Sequence, residues 1–140
     1  MPHLVILYTP NLDKPEAQGG IDMGRLCRVL CDAMLAVRDE ADKQVFPTGG
    51  TRVLAYPAAH YAVADGQADY AFVYLNLRMA SGRSEAVKQK AGDDLLAAVR
   101  THFEPVFTQR HIGITLQIDE APGQVYDGKH SNLHPLSNKS

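Results

Sequence analysis

The 140-residue chain lacks tryptophan, holds only two cysteines and carries almost no net charge, −2. A balance so near zero provides no whole-chain basic field for nucleic acid or for an anionic membrane surface. Cys27 and Cys31 are separated by three residues, a spacing that fits two small apolar side chains on one helix face. It indicates neither a disulfide framework nor a CxxC redox motif.

Long apolar runs are also lacking. No stretch approaches the roughly 20 residues that a membrane-spanning helix needs. Asn11, Asp13 and Lys14 interrupt the first apolar run too early for a signal peptide. We therefore expect a cytoplasmic protein with no membrane partner.

Several chemical motifs are missing as well. The six histidines are scattered and form neither HExxH nor another metal-binding spacing. No GxSxG and no Cys-His-Asn arrangement occurs, and Gly49-Gly50 lacks the lysine-serine pair of a phosphate loop. The sequence thus gives no reason to expect a metal or a cofactor.

What is present is an ordinary globular composition with a repeated pattern. Hydrophobic residues make up 45% and charged residues 21%, and the length fits one domain. The apolar spacing predicts two successive β-α-β units. The first has a strand at 3–8, a helix capped by Asp22 and a strand at 51–56. The second has a strand at 70–77, a helix capped by Ser84 and a strand at 112–118.

These units predict an α+β, two-layer sandwich, a four-stranded sheet with both helices on one face. We expect the strands at 3–8 and 70–77 to be covered on both faces, because both faces are largely apolar. With no third set of helices available, a partner subunit is the simplest cover. Pro105 is predicted at or near the end of the second helix, with one kinked extra turn as the alternative. We predict a domain at 1–120 and an extended tail at 121–140 that contacts a neighbouring subunit.

Pro2 has two interpretations on the residues alone. It is either a proline that merely starts a strand, or, after removal of Met1, a free secondary amine able to act as a base. Other segments decide between these interpretations. They are Phe46-Pro47, Gly50-Thr51-Arg52, the run ADGQADYAFV at 64–73, Gly82-Arg83-Ser84, Thr101-His102-Phe103 and His134.

Together with Met1-Pro2-His3, these segments resemble the 5-carboxymethyl-2-hydroxymuconate isomerase family of the tautomerase superfamily. That superfamily also holds 4-oxalocrotonate tautomerase and macrophage migration inhibitory factor. The resemblance implies a homotrimer whose sheets line a central barrel, and catalysis without a cofactor. It implies an allylic proton shift in a 2-hydroxymuconate with two or three carboxylates, in homoprotocatechuate breakdown. Pro2 falls on the family's catalytic proline, and Arg52 and Arg83 fall on its substrate-binding arginines.

Two alternatives remain open. One is another proline-dependent reaction on the same scaffold: tautomerisation of smaller keto acids, dehalogenation or decarboxylation. The other is a trimeric binding protein without activity. His3 is expected to face a neighbouring strand, with tuning of Pro2 as the second possibility. The remaining arginines are predicted to be surface charges: Arg25, Arg28, Arg38, Arg78, Arg100 and Arg110.

Overall fold

The computed structural model describes residues 2–133 and 135–136; the expectations on Met1 and His134 fall outside this range. It confirms the predicted order of two β-α-β units. The helices and strands are β1 (His3–Tyr8), α1 (Met23–Leu35), β2 (Arg52–Pro57), β3 (Ala71–Ala80), α2 (Glu85–Phe107) and β4 (Ile112–Ala121).

The four strands form one sheet in the order β2-β1-β3-β4. Within each unit the strands pair in parallel, β1 with β2 and β3 with β4. The two units join through the antiparallel pair of β1 and β3, in which His3 stands opposite Arg78. The predicted central position of β3 is therefore confirmed, and β1 is the other central strand.

Both helices begin at the predicted caps. The Asp22 carboxylate accepts a hydrogen bond from the Arg25 backbone N–H at 3.0 Å. The Ser84 hydroxyl accepts one from the Val87 N–H at 3.2 Å. Each side chain thus satisfies one of the free N–H groups of a helix start. The apolar stripes of both helices then pack on one face of the sheet and form a single core with Leu4, Ile6 and Leu75.

The other face of the sheet is open in the single chain. Leu7, Leu54 and Tyr56 are each 45–49% exposed on it. The strand β1 therefore alternates between buried and more open positions, although we expected both of its faces to be covered. The difference arises because the chain alone supplies helices for only one face of the sheet.

Element ends differ from the sequence prediction in three places. The strands β3 and β4 each run three residues further, because their paired register continues to Ala80 and Ala121. The helix α1 ends at Leu35, so Val37 lies beyond it, although still fully buried. The helix α2 ends at Phe107, two residues after Pro105, so Pro105 lies near the helix end as predicted, and the alternative extra turn to Arg110 is not formed.

The expectation that Arg110 is a surface charge is wrong. Its side chain is only 9% exposed. It donates hydrogen bonds to the carbonyl oxygens of Asn11 and Gly19, both at 3.1 Å, and to the Asp69 carboxylate at 3.0 Å. Arg110 thus fastens the loop after β1 to the segment that leads into β3. Arg38 is also half-buried and donates to the Leu35 carbonyl at 2.9 Å.

No helix in the described part of the chain is both long enough and apolar enough to cross a bilayer. Within the same residues, no three His, Cys, Asp or Glu side chains come together as a metal site. Cys27 and Cys31 are free thiols, each half-buried on α1.

Candidate active site

The three residues singled out in the sequence approach one edge of the sheet. Pro2 immediately precedes β1, and Arg52 is the first residue of the parallel neighbour β2. Because β3 is antiparallel to β1, its last residues lie beside the beginning of β1. Arg83 follows three residues after the end of β3, before α2 begins. The topology therefore brings the beginning of β1, the beginning of β2 and the end of β3 together.

Pro2 is buried at this edge. Within a chain its nitrogen is an amide and has no basicity. Once it is the first residue, the nitrogen is a secondary amine. Burial of such an amine disfavours the ammonium form, and so does the positive charge of nearby arginines.

A row of cationic and ionisable side chains crosses the open face at the same edge. The strand register places Arg52, His3 and Arg78 side by side on β2, β1 and β3. Neighbouring strands are about 4.8 Å apart, so the Cα atoms of the two arginines are separated by about 10 Å. Burial and then the charge of Arg52, with a smaller effect of Arg78, lower the pKa of His3 from 6.5. His3 thus faces its neighbours, as predicted, and stays neutral between two guanidinium groups at neutral pH.

Arg52 is positioned by a tight turn just before β2. The Thr51 hydroxyl donates to the Pro47 carbonyl at 2.8 Å, and the Gly50 N–H donates to the same oxygen at 3.1 Å. Phe46 anchors this turn because its ring is fully buried in the core. Arg52 is half-buried and has no carboxylate partner among the described residues. Its guanidinium is therefore available to bind an anion.

Arg83 is exposed, and one of its nitrogens is already used. Its Nη2 donates to the Val45 carbonyl at 2.9 Å. Val45 belongs to the segment that runs through the Pro47 turn into Arg52. This contact ties the approach to α2 to the loop that positions Arg52. A guanidinium has five N–H donors, so the remaining donors of Arg83 can still bind a carboxylate.

The run at 64–73, which carries much of the resemblance, has a structural role. The Asp65 carboxylate accepts from the Gln67 N–H at 3.0 Å, in a turn where Gly66 has a φ of 68°. Asp69 accepts from the Asn11 amide at 2.9 Å, and this hydrogen bond lowers the pKa of Asp69 below its usual value. These contacts set the start of β3 and place no functional side chain at the edge that holds Pro2.

A cavity of about 410 Å³ lies beside the row of cationic side chains. His3 and Arg78 line it, together with Ser81, Gln124 and Asp127. A volume of this size is sufficient for a small organic acid. Arg78 is exposed, as the sequence predicted for a surface charge, but it also lies beside His3 and lines this cavity. The sequence held a signal for this position, because the alternation of β3 places Arg78 on the same face as Tyr74 and Asn76.

A second cavity, of about 530 Å³, lies between the two helices and is lined by Asp22, Arg25 and His102. The His102 Nε2 is 3.2 Å from the Asp22 carbonyl oxygen, which places the ring against the cap of α1. This cavity is on the helix side of the molecule. Neither cavity is lined by Pro2, Arg52 or Arg83, but this one is lined by α1, α2 and the loop before α1, away from the end of the sheet that holds those three residues.

Comparison with known proteins identifies the same family as the residues do. The family model described as 5-carboxymethyl-2-hydroxymuconate isomerase matches residues 2–137. The 5-carboxymethyl-2-hydroxymuconate Delta-isomerase of Escherichia coli is 33% identical over 92 residues, which are 66% of this chain and 72% of that protein.

Solved structures agree with the sequence match. A 5-carboxymethyl-2-hydroxymuconate delta-isomerase is 55% identical, with a TM-score of 0.88 and coverage of 96% of this chain and 91% of the other. A 5-carboxymethyl-2-hydroxymuconate isomerase from Deinococcus radiodurans R1 is 37% identical, with a TM-score of 0.77 and coverage of 95% and 91%. At 14% identity, a fused 4-OT symmetric trimer shares the fold alone, with a TM-score of 0.51 and coverage of 89% and 93%.

Proposed function

Because the chain belongs to the 5-carboxymethyl-2-hydroxymuconate isomerase family and is an isomerase of the tautomerase superfamily, we propose its reaction and its catalytic base. The reaction is a 1,3-allylic proton shift in a carboxylated 2-hydroxymuconate, within the breakdown of aromatic compounds in the cytoplasm. The base is the nitrogen of Pro2 after removal of Met1. The observation that carries this proposal is the placement of Pro2 and Arg52 at one sheet edge, in a chain that matches the family over residues 2–137.

The chemistry needs a group that takes a proton from one position of the substrate and returns it to another. Such a base works best when its pKa is near the working pH. A free α-amino group has a pKa of roughly 7.7–8.0 in model peptides, and the secondary amine of proline is more basic. Burial disfavours the charged form of an amine, and so does a neighbouring guanidinium such as that of Arg52, so both features of the site oppose protonation of this nitrogen. A neutral proline nitrogen needs neither a metal nor a cofactor to take a proton.

The arginines suit a substrate with several carboxylates. A guanidinium can give a carboxylate two charge-assisted hydrogen bonds, and it stays charged at every working pH. One of Arg52 and Arg83 binds a carboxylate in this way. The other lies nearer the oxygen on which negative charge develops as the dienolate forms, and it stabilises that charge.

The working form is a homotrimer in this proposal. The open sheet face supports it, because Leu7, Leu54 and Tyr56 are about half exposed in the single chain. Burying such a face against other copies removes apolar surface from water. This stabilises the assembly by roughly 25 cal/mol for each Å² of apolar surface buried. The distant structural neighbour described as a symmetric trimer has the same fold. Sedimentation equilibrium checks the assembly, and a monomer at micromolar concentration contradicts it.

Three variants test the catalytic proposal in an ultraviolet absorbance assay. The substrates are 5-carboxymethyl-2-hydroxymuconate, 2-hydroxymuconate, a small keto acid and 3-chloroacrylate. Pro2→Ala is expected to lower kcat by about 10²- to 10⁴-fold, the usual contribution of a general base. Arg52→Ala is expected to lower kcat/KM about 10- to 150-fold, the value of one charge-assisted hydrogen bond. Arg100→Ala, an exposed arginine of α2, is the matched control and should leave turnover unchanged.

A further variant separates the proline ring from its free nitrogen. A glutamate inserted between Met1 and Pro2 prevents removal of the initiator while every residue from Pro2 onward is kept. Intact mass verifies processing in each sample. If the inserted protein, with its amide nitrogen, turns over substrate as fast as the wild type, Pro2 is not the base. Preference for the keto acid or for 3-chloroacrylate would instead favour another reaction on the same scaffold.

A further inference from the structure

Arg78 is a cation without a partner at the edge that holds Pro2. It stands opposite His3 in the sheet, on the face away from the helices. It is exposed, and it forms neither a hydrogen bond nor an ion pair within residues 2–133 and 135–136. An arginine placed one strand away from a histidine with a lowered pKa, and two strands from Arg52, raises the local positive potential. No carboxylate among the described residues pairs with Arg78 to offset this positive potential.

Two carboxylates near Arg78 are held by other groups. Asp119 is the register partner of Arg78 on β4, but its Oδ2 accepts the side-chain amide of Asn76 at 2.8 Å. Asp127 lines the same cavity as Arg78 and forms an ion pair with Lys129. Arg78 therefore faces the 410 Å³ cavity with its donors unused.

The number of cations can be compared with the number of anions. A muconate has two carboxylates; of Arg52 and Arg83, one is assigned to a carboxylate and the other to the negative charge that develops on oxygen. A carboxymethyl substituent adds a third carboxylate. Among the described residues, Arg78 is one further unpaired arginine at the same edge, and its Cα lies about 10 Å from that of Arg52 by strand spacing.

We propose that Arg78 binds the third carboxylate of the substrate, and that it thereby selects tricarboxylates over dicarboxylates. This inference rests on the proposed function, because it assigns the carboxylates of that same substrate class. Arg78 is a specificity residue that touches substrate, and it takes no part in the proton shift.

Calorimetric binding of two unreactive probes tests the inference. Pentanedioate has two carboxylates, and propane-1,2,3-tricarboxylate is the same molecule with one more. Wild-type protein should bind the tricarboxylate more tightly. Arg78→Gln should weaken binding of the tricarboxylate by about 10- to 100-fold, as expected for one charge-assisted contact, and binding of pentanedioate by less than about threefold. Arg78→Lys should restore part of the loss, and Arg100→Gln should change neither.

Turnover provides the second readout. With 5-carboxymethyl-2-hydroxymuconate, Arg78→Gln should raise KM and leave kcat within about twofold, since uniform binding is removed. With 2-hydroxymuconate, KM should stay near the wild-type value.

Equal weakening of both probes by Arg78→Gln, no weakening at all, or no wild-type preference for the tricarboxylate overturns the inference. The proposed base is judged separately. The calorimetric result does not depend on turnover, so an active Pro2→Ala variant would refute the base and leave the role of Arg78 standing.

Discussion

Replacing Arg110 with alanine should destabilise the protein far more than replacing an exposed arginine. The side chain is 9% exposed and holds two loop carbonyl oxygens, those of Asn11 and Gly19. The ion pair with Asp69 contributes less than about 1 kcal/mol, because the Asp69 side chain is 66% exposed and screened by water. Hydrogen bonds from a charged donor contribute about 1.5–3 kcal/mol each. The buried Arg110 Nε, without a partner among the described residues, offsets part of that gain.

The expected loss in the free energy of unfolding for Arg110→Ala is therefore about 3 kcal/mol. For a chain of this size that corresponds to a fall in Tm of roughly 10 °C. Urea unfolding followed by circular dichroism, at one fixed protein concentration, measures it. Arg100→Ala is the matched control and should lie within about 0.5 kcal/mol of the wild type. Arg110→Lys keeps the charge and loses the planar guanidinium, so its loss in the free energy of unfolding should lie between those of Arg100→Ala and Arg110→Ala.

A fall for Arg110→Ala no larger than that for Arg100→Ala would refute the reasoning. It would mean that water replaces the guanidinium at both carbonyl groups without cost. A loss for Arg110→Lys as large as that for Arg110→Ala would show that the planar guanidinium, rather than the charge, is what the two loops require.

Two titrations follow from the pKa shifts. In proton NMR, His3 should titrate below pH 6.5, and Arg52→Gln should move its pKa back toward 6.5. Since the folded pKa is the lower one, the unfolded state takes up this proton first, and stability falls as the pH drops below 6.5; a His3 pKa at or above 6.5 contradicts this. Burial and the Asp13 hydrogen bond raise the pKa of Tyr8 to about 12, so its contribution to stability is present below pH 10 and is lost as the pH rises toward 12. The Asp65 side chain also raises the pKa of Tyr70, so the test uses Tyr70→Phe as the background: there, absorbance at alkaline pH should show a phenol ionisation near pH 12 that is lost when Tyr8→Phe is added, and its persistence would refute the assignment.

The order of elements was predictable because each has a strong local signal. The caps Asp22 and Ser84 mark helix starts through the chemistry of their own side chains. Strand ends were less predictable, since a strand continues as long as a neighbour pairs with it. The last three pairs of β3 with β4 begin with Arg78 and Asp119. Charged residues at these positions are typical of a segment that follows the end of a strand, so the sequence pattern ended both strands too early.

The candidate site, too, was predictable only in part. Pro2, Arg52 and Arg83 could be proposed from sequence because each lies in a recognisable local motif. Their meeting at one sheet edge depends on two long-range pairings, the parallel one of β1 with β2 for Arg52 and the antiparallel one of β1 with β3 for Arg83, which join residues about 50 and 75 positions apart. The antiparallel pairing also places Arg78 beside His3, and it explains why local spacing alone assigned Arg78 to the solvent-facing surface.

The role of Arg110 illustrates a different difficulty. Its partners Asn11 and Gly19 lie about 90–100 residues earlier in the chain, in a loop without a regular pattern. Nothing near Arg110 in the sequence distinguishes it from the exposed Arg100. Only the folded arrangement of both loops shows that one arginine is internal.

The burial of Pro2 also sets an order of events during synthesis. An aminopeptidase that removes Met1 needs the first residues extended and accessible. In the folded chain Pro2 is buried, and β1 lies between two other strands. Those strands begin about 50 and 70 residues after β1, which at 5–20 residues per second leaves roughly 3–15 seconds before the sheet can close. Under the proposed mechanism, removal of Met1 should therefore take place on the nascent chain, and a protein refolded with Met1 still attached is expected to be inactive however well it folds.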